Sequence, residues 1–102
     1  MSSNRAPGAV ATDEGHYVVI DGRKWRATDP LIPAARRTEL VQVLMAWRRE
    51  VRRVKGTPAE SIARAGVDAA KVALGERGQP PWWEQTERQR RTRWEADVAR
   101  PG

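Results

Sequence analysis

One chain of 102 residues with no cysteine and a formal charge of +6 is a small basic protein. It has no disulfide framework, no thiolate metal site and no stretch approaching the length of a transmembrane helix. Nineteen Lys+Arg face thirteen Asp+Glu, and only Lys24, Lys55 and Lys71 of the nineteen are lysine. The arginine bias therefore favours anionic partners, whose phosphates or carboxylates a guanidinium grips bidentately.

Residues 1–15 are rich in Ser, Ala, Gly, Asp and Glu without apolar periodicity, and read as a disordered lead-in. They lack the apolar run of a signal peptide, so the expected location is cytoplasmic. A single small domain over 16–99 follows, with 100–102 as a tail.

Residues 16–27 read as a β-hairpin. Asp21-Gly22 supplies both left-handed positions of a type I′ turn between His16-Tyr17-Val18-Val19-Ile20 and Arg23-Lys24-Trp25-Arg26-Ala27. A two-residue loop pairs Val18 with Trp25 and Ile20 with Arg23, so Val18, Ile20 and Trp25 share the face assigned to the core. A lone hairpin is marginal in water and needs helices beneath it.

Thr28-Asp29-Pro30 reads as a helix cap, with Pro33 dividing a short first turn from a helix over 33–55 that stops at Gly56. Leu40, Leu44, Trp47, Val51 and Val54 form its buried stripe, Val43 widens it, and Val41 and Met45 flank it. Thr57-Pro58-Ala59-Glu60 has the form of a capping box and opens a second helix over 58–74, ended by Gly75. Ile62, Ala65, Ala69 and Val72 are its expected buried face. Their small size predicts close antiparallel packing on the first helix. A loop over 75–85 carries Pro80-Pro81-Trp82-Trp83, and a last short helix spans 86–99. The fold class expected is α+β, mostly helical, with the hairpin packed on a helix pair.

The arginines are sorted by their i,i+3 and i,i+4 partners. In the last helix Arg88 can pair with Glu84, Arg91 with Glu87 or Glu95, and Arg93 with Asp97, which leaves Arg90 unpaired. Glu60, Arg64, Asp68 and Lys71 form a ladder of alternating sign on the second helix. Arg48, Arg49, Arg52, Arg53 and Lys55 differ, because Glu50 is their single acidic neighbour and can reach Arg53. These five, with Lys24 and Arg26 of the outer hairpin face, are the candidate nucleic-acid-binding residues. Two of the five tryptophans, Trp25 and Trp47, fall on buried stripes. Trp82 and Trp83 are the candidate interaction residues, one folded back over the core end and one exposed, with Trp94 meeting the pair.

The only histidine is His16, and no nucleophile–base pair, P-loop, dinucleotide turn or metal-ligand cluster can be assembled. The expectation is a non-catalytic protein without metal or cofactor. The segments Trp25-Arg26-Ala27-Thr28-Asp29-Pro30, Ile32-Pro33, Ala70 to Gly78 and Trp82-Trp83 carry a resemblance to a group of short bacterial proteins of unknown function. Such proteins often bear the automatic label "biopolymer transporter Tol". The resemblance covers Tyr17 to Glu84 and implies a compact module. It transfers no activity, and the chain has neither the membrane span nor the propeller-like strand repeat that the label suggests. The function expected is nucleic-acid binding, DNA or RNA, with little sequence specificity. The alternative is a protein-interaction module or homodimer in which Val41, Met45 and Trp82/Trp83 form an Arg-ringed contact.

Overall fold

A computed structural model describes residues 10–102. The element order is β1 (Val10–Ala11), β2 (Tyr17–Ile20), β3 (Arg23–Arg26), α1 (Ala34–Val54), α2 (Glu60–Ala73), a 3-10 turn at Trp82–Glu84, and α3 (Glu87–Glu95). This is the expected α+β, mostly helical architecture, with one strand more than the hairpin.

The hairpin register is the one a two-residue turn dictates: Val18 opposes Trp25 and Ile20 opposes Arg23. Asp21 and Gly22 both take positive φ, 51° and 76°. The added strand falls within the segment read as a disordered tail, of which residues 1–9 lie outside the described residues. Val10 opposes Val19 and Ala11 opposes Val18, giving a sheet of order β1-β2-β3. The return turn is closed by Gly15 N donating to Thr12 O at 2.9 Å, with Tyr17 N donating to the Thr12 hydroxyl at 3.2 Å. Two residues are too few for an alternation to register, which is why this strand is invisible to periodicity.

α1 follows its stripe: Leu40, Val43, Leu44, Trp47 and Val54 are buried and Val51 packs beside them. Its last turn is closed by Thr57, whose amide and hydroxyl both donate to Val54 O, at 2.9 and 2.6 Å. The capping residues of α2 make a variant of the expected box. Thr57 Oγ1 accepts from Ala59 N, and Glu60 Oε1 accepts from Gly56 N at 2.8 Å. Thr57 to Ala59 thus form a turn, and the helix starts at Glu60 rather than at Pro58.

The buried face of α2 is displaced by one residue from the expected one. Ala63, Ala70 and Ala73 are buried and Gly66 and Val67 lie beside them, whereas Ala65 and Ala69 are exposed and Ile62 is 67% exposed. Trp47 decides the phase. A Cβ on Gly66 would lie 2.1 Å from Trp47 Cδ2, so the indole lies directly on the α2 backbone. Hydrophobicity favours the row containing Ile62, but only the row containing glycine admits an indole at that distance. The core is completed by Ile32, Leu74 and Trp94, with Val98 at its rim.

The link between sheet and helices is closed along two segments far apart in sequence. Arg26 Nη1 donates to Gly78 O at 2.7 Å, the Thr28 hydroxyl to Glu76 Oε2 at 2.6 Å, and Asp29 N to Leu74 O at 3.0 Å. Trp82 Nε1 donates to Ala27 O at 2.9 Å. Gly75 is required here twice over: its φ is +81°, and a Cβ would lie 2.9 Å from that of Asp29.

Asp29 was expected to cap a helix. It does accept from Leu31 N, at 2.8 Å, but its larger role is as the fully buried partner of Arg90 and Arg93. Arg90, expected to be unpaired, is therefore among the most committed arginines, and Arg93 reaches Asp29 and Ala73 O rather than Asp97. Burial alone would raise the Asp29 carboxyl, but the hydrogen bonds from both guanidinium groups outweigh it and hold the group below the usual range.

α3 opens with the reciprocal Thr86–Gln89 box and stops at Glu95, four residues short of the expected end. Donors on α1 take the carbonyls that a longer helix would need. Arg36 donates to Trp94 O and Ala96 O at 2.7 and 2.9 Å, and Trp47 Nε1 to Ala99 O at 2.8 Å. Among the described residues no helix is long and apolar enough to cross a membrane.

Candidate nucleic-acid interface

Trp25 departs from its expected place. It is 37% exposed and outside the core cluster, and Val18 and Ile20 on the same face are only half-buried. The hairpin does not lay this face on the helices' apolar stripe, because Trp47, Leu74 and Trp94 already fill it. Trp25 instead meets two cations. The Arg23 guanidinium carbon lies 4.5 Å from the indole centroid and Lys71 Nζ lies 5.3 Å from it. Such contacts contribute about 0.5–1 kcal/mol each where exposed.

Lys71 is the unexpected member. The one-residue displacement of α2 turns it from an outward rung of a charge ladder into a residue 9% exposed, with no carboxylate in ion-pair distance among the described residues. Burial pushes its ammonium below the usual lysine range. Glu76 opposes the shift, and the charges of Arg48 and Arg77 add to it. Lys71 thereby meets the hairpin at Trp25 and lies within electrostatic reach of Arg48 on α1 and Arg77 after α2.

A groove of about 420 Å³ runs between α1 and α2, lined by Val51 and Val67 and by Arg48, Arg52, Arg64 and Arg77. Arg64 is paired with Glu60 at 2.7 Å and Arg77 with Asp68 at 2.9 Å, both on the surface. Asp68 was expected to continue a ladder along α2 and is drawn to Arg77 instead. Arg48 and Arg52 have no carboxylate partner among the described residues.

The sequence-derived cations divide over this frame. Arg48 and Arg52 line the groove, while Lys55 is exposed beyond the end of α1. Arg49 lies on the side of α1 opposite the core, and Arg53 is held by Glu50, as its spacing allows. Lys24 and Arg26 alternate with Arg23 and Trp25 and so point to the other face of the sheet. There Lys24 lies 4.5 Å from the Tyr17 ring, and Arg26 is engaged by Gly78 and faces Trp83 at 5.7 Å.

The candidate interaction residues close on the protein itself. Trp82 is 7% exposed with its N–H satisfied. Trp83 stacks on His16, centroids 4.1 Å apart and planes 3° apart, with Tyr17 at its edge. Trp94 belongs to the helical core instead of this cluster. Sequence reading missed Lys71 because its burial depends on which way α2 is turned, and Arg23 because its face of the hairpin was assigned to the core. The chain matches no protein-family model, no curated protein and no solved structure.

Proposed function

We propose that this protein binds nucleic acid without catalysis and with little sequence choice, through the surface around Trp25. The observation that carries this reading is the half-exposed indole that meets both Arg23 and Lys71, on a molecule whose α1–α2 groove presents Arg48 and Arg52 without carboxylate partners among the described residues. The helix macrodipole rationalises cations in the last turn of α1, where Arg52 and Arg53 lie. It does not rationalise Arg23 and Lys71, which arrive from other elements and have no carboxylate in ion-pair distance among the described residues. A polyanion replaces the missing counter-charge, and an aromatic face accepts a base of any identity.

With four or five phosphates neutralised, log K falls with log salt at a slope of roughly −3 to −4.5. Fluorescence anisotropy of labelled oligonucleotides at 25–200 mM salt measures it. Absence of binding at micromolar protein in the lowest salt, or binding indifferent to salt, overturns the reading.

A second reading keeps one observation. Val41 and Met45 are each 37% exposed on α1, an apolar contact for a protein partner or a second copy of the chain. It loses Trp82, which is buried, and most of Trp83. A molar mass in light scattering that stays monomeric across concentrations counts against the homodimer.

A further inference from the structure

We propose, resting on the nucleic-acid reading above, that the ligand is a single strand: one unstacked base lies on Trp25 and its phosphate sits at Lys71 and Arg48. Three features of the surface favour this ligand over a duplex.

The first is Trp25 itself. Bases in a duplex are stacked on one another, so an aromatic surface is useful only to a base that has left the stack. Trp25 stands on an edge strand with the sheet behind it, and its neighbours Arg23 and Lys24 are exposed. It projects no wedge and heads no recognition helix. Arg23 has no carboxylate partner among the described residues and lies on the indole at 4.5 Å. A base that takes its place leaves the guanidinium free to move onto a phosphate.

The second is the shape of the cationic surface. Holding a duplex, even without reading its sequence, takes cations spread over a surface broad enough to reach both backbones across a groove about 12 Å wide. Here they are gathered instead. Arg48, Arg52, Arg64 and Arg77 line a depression of about 420 Å³, the size of a small-molecule site, between two helices. A depression of that size accepts one flexible strand.

The third is its chemistry. Val51 and Val67 line the groove together with the unpaired Arg48 and Arg52, apolar surface beside cationic. A strand presents the same alternation, flat base face and anionic phosphate, where a duplex keeps its base faces stacked inside and offers phosphates and base edges. Lys71, on the indole and close enough to Arg48 for their charges to interact, meets the phosphate that joins the stacked base to the next nucleotide.

The experiment compares a labelled 12-nucleotide single strand with the duplex of the same sequence, by anisotropy, on the full chain and on Trp25→Ala, Trp25→Phe and Lys71→Met. The expected result is at least ten-fold tighter binding of the single strand by the native protein. Trp25→Ala loses about ten-fold or more on the single strand and little on the duplex, at an unchanged salt slope. Trp25→Phe recovers part of that loss, and Lys71→Met lowers the slope by about one. Trp25 lies outside the core, so its variants keep the fold, and circular dichroism checks this. Equal affinity for strand and duplex with Trp25→Ala silent overturns the single-strand assignment and leaves phosphate binding intact. Binding to neither is the distinct outcome that removes the nucleic-acid reading itself.

Discussion

A glycine inside a helix costs about 1 kcal/mol relative to alanine, so replacing Gly66 in α2 would ordinarily stabilise the protein. Here the sign reverses. A Cβ placed 2.1 Å from Trp47 Cδ2 forces apart the two helices that hold the core, and overpacking of this kind costs about 1–3 kcal/mol or more. Gly66→Ala is expected to lower the urea midpoint with the m-value unchanged, whereas a midpoint at or above the native one contradicts the contact. Asp29 is the second residue on which the fold turns. Asp29→Asn leaves Arg90 and Arg93 facing a neutral group in a buried site, at a cost of about 3–5 kcal/mol. The Asp29 carboxyl titrates lower in the folded than in the unfolded chain. Its contribution is therefore complete above about pH 4 and is lost as pH falls through the folded value. Denaturation followed from pH 7 to pH 2 should show that acid loss in the native protein and a shallower one in the variant.

At the scale of elements, the sheet and the helices have unequal claims on the core. No sheet residue belongs to the buried cluster, and Val18 and Ile20 are only half-buried. The sheet is tied on by Arg26 to Gly78, Thr28 to Glu76, and the stacking of His16 on Trp83. Such a unit opens at lower free energy than the global transition. Hydrogen exchange should therefore show β2 and β3 amides exchanging faster than those of α1 and α2, and slowing when an oligonucleotide is added. Uniform protection across sheet and helices would mean that the sheet is held more firmly than its contacts allow. The reach of sequence reading also differs by element. The hairpin and α1 were legible to the register and the stripe, because an Asp-Gly turn and a run of large apolar residues each admit one solution. α2 was legible in extent but not in phase, since its rows of small residues differ little in hydrophobicity and only contact with Trp47 separates them.

For the whole molecule, the same one-residue turn of α2 that seats Trp47 on Gly66 brings Lys71 under Trp25 and within electrostatic reach of Arg48 and Arg77. A cation so placed opposes stability. Its folded pKa lies below the unfolded one, so the unfolded state binds more protons between the two values and stability rises with pH there. Lys71→Met is accordingly expected to raise stability at neutral pH by about 0.5–2 kcal/mol while weakening oligonucleotide binding, a trade of stability for function seen when a site holds uncompensated charge. A variant that is no more stable, or that binds as before, would show that Lys71 is accommodated rather than held for a ligand. The sequence by itself determined the fold class, the hairpin register, the Trp47 stripe and the unpaired state of Arg48 and Arg52, because each depends on neighbours within a few residues. Only the tertiary structure decided that Trp25 is exposed, that Trp82 is not, that Arg90 is bound to Asp29, and that Arg23 and Lys71 meet on Trp25. These depend on which surfaces the limited core area leaves over, and that is settled by packing between elements, to which local periodicity is blind.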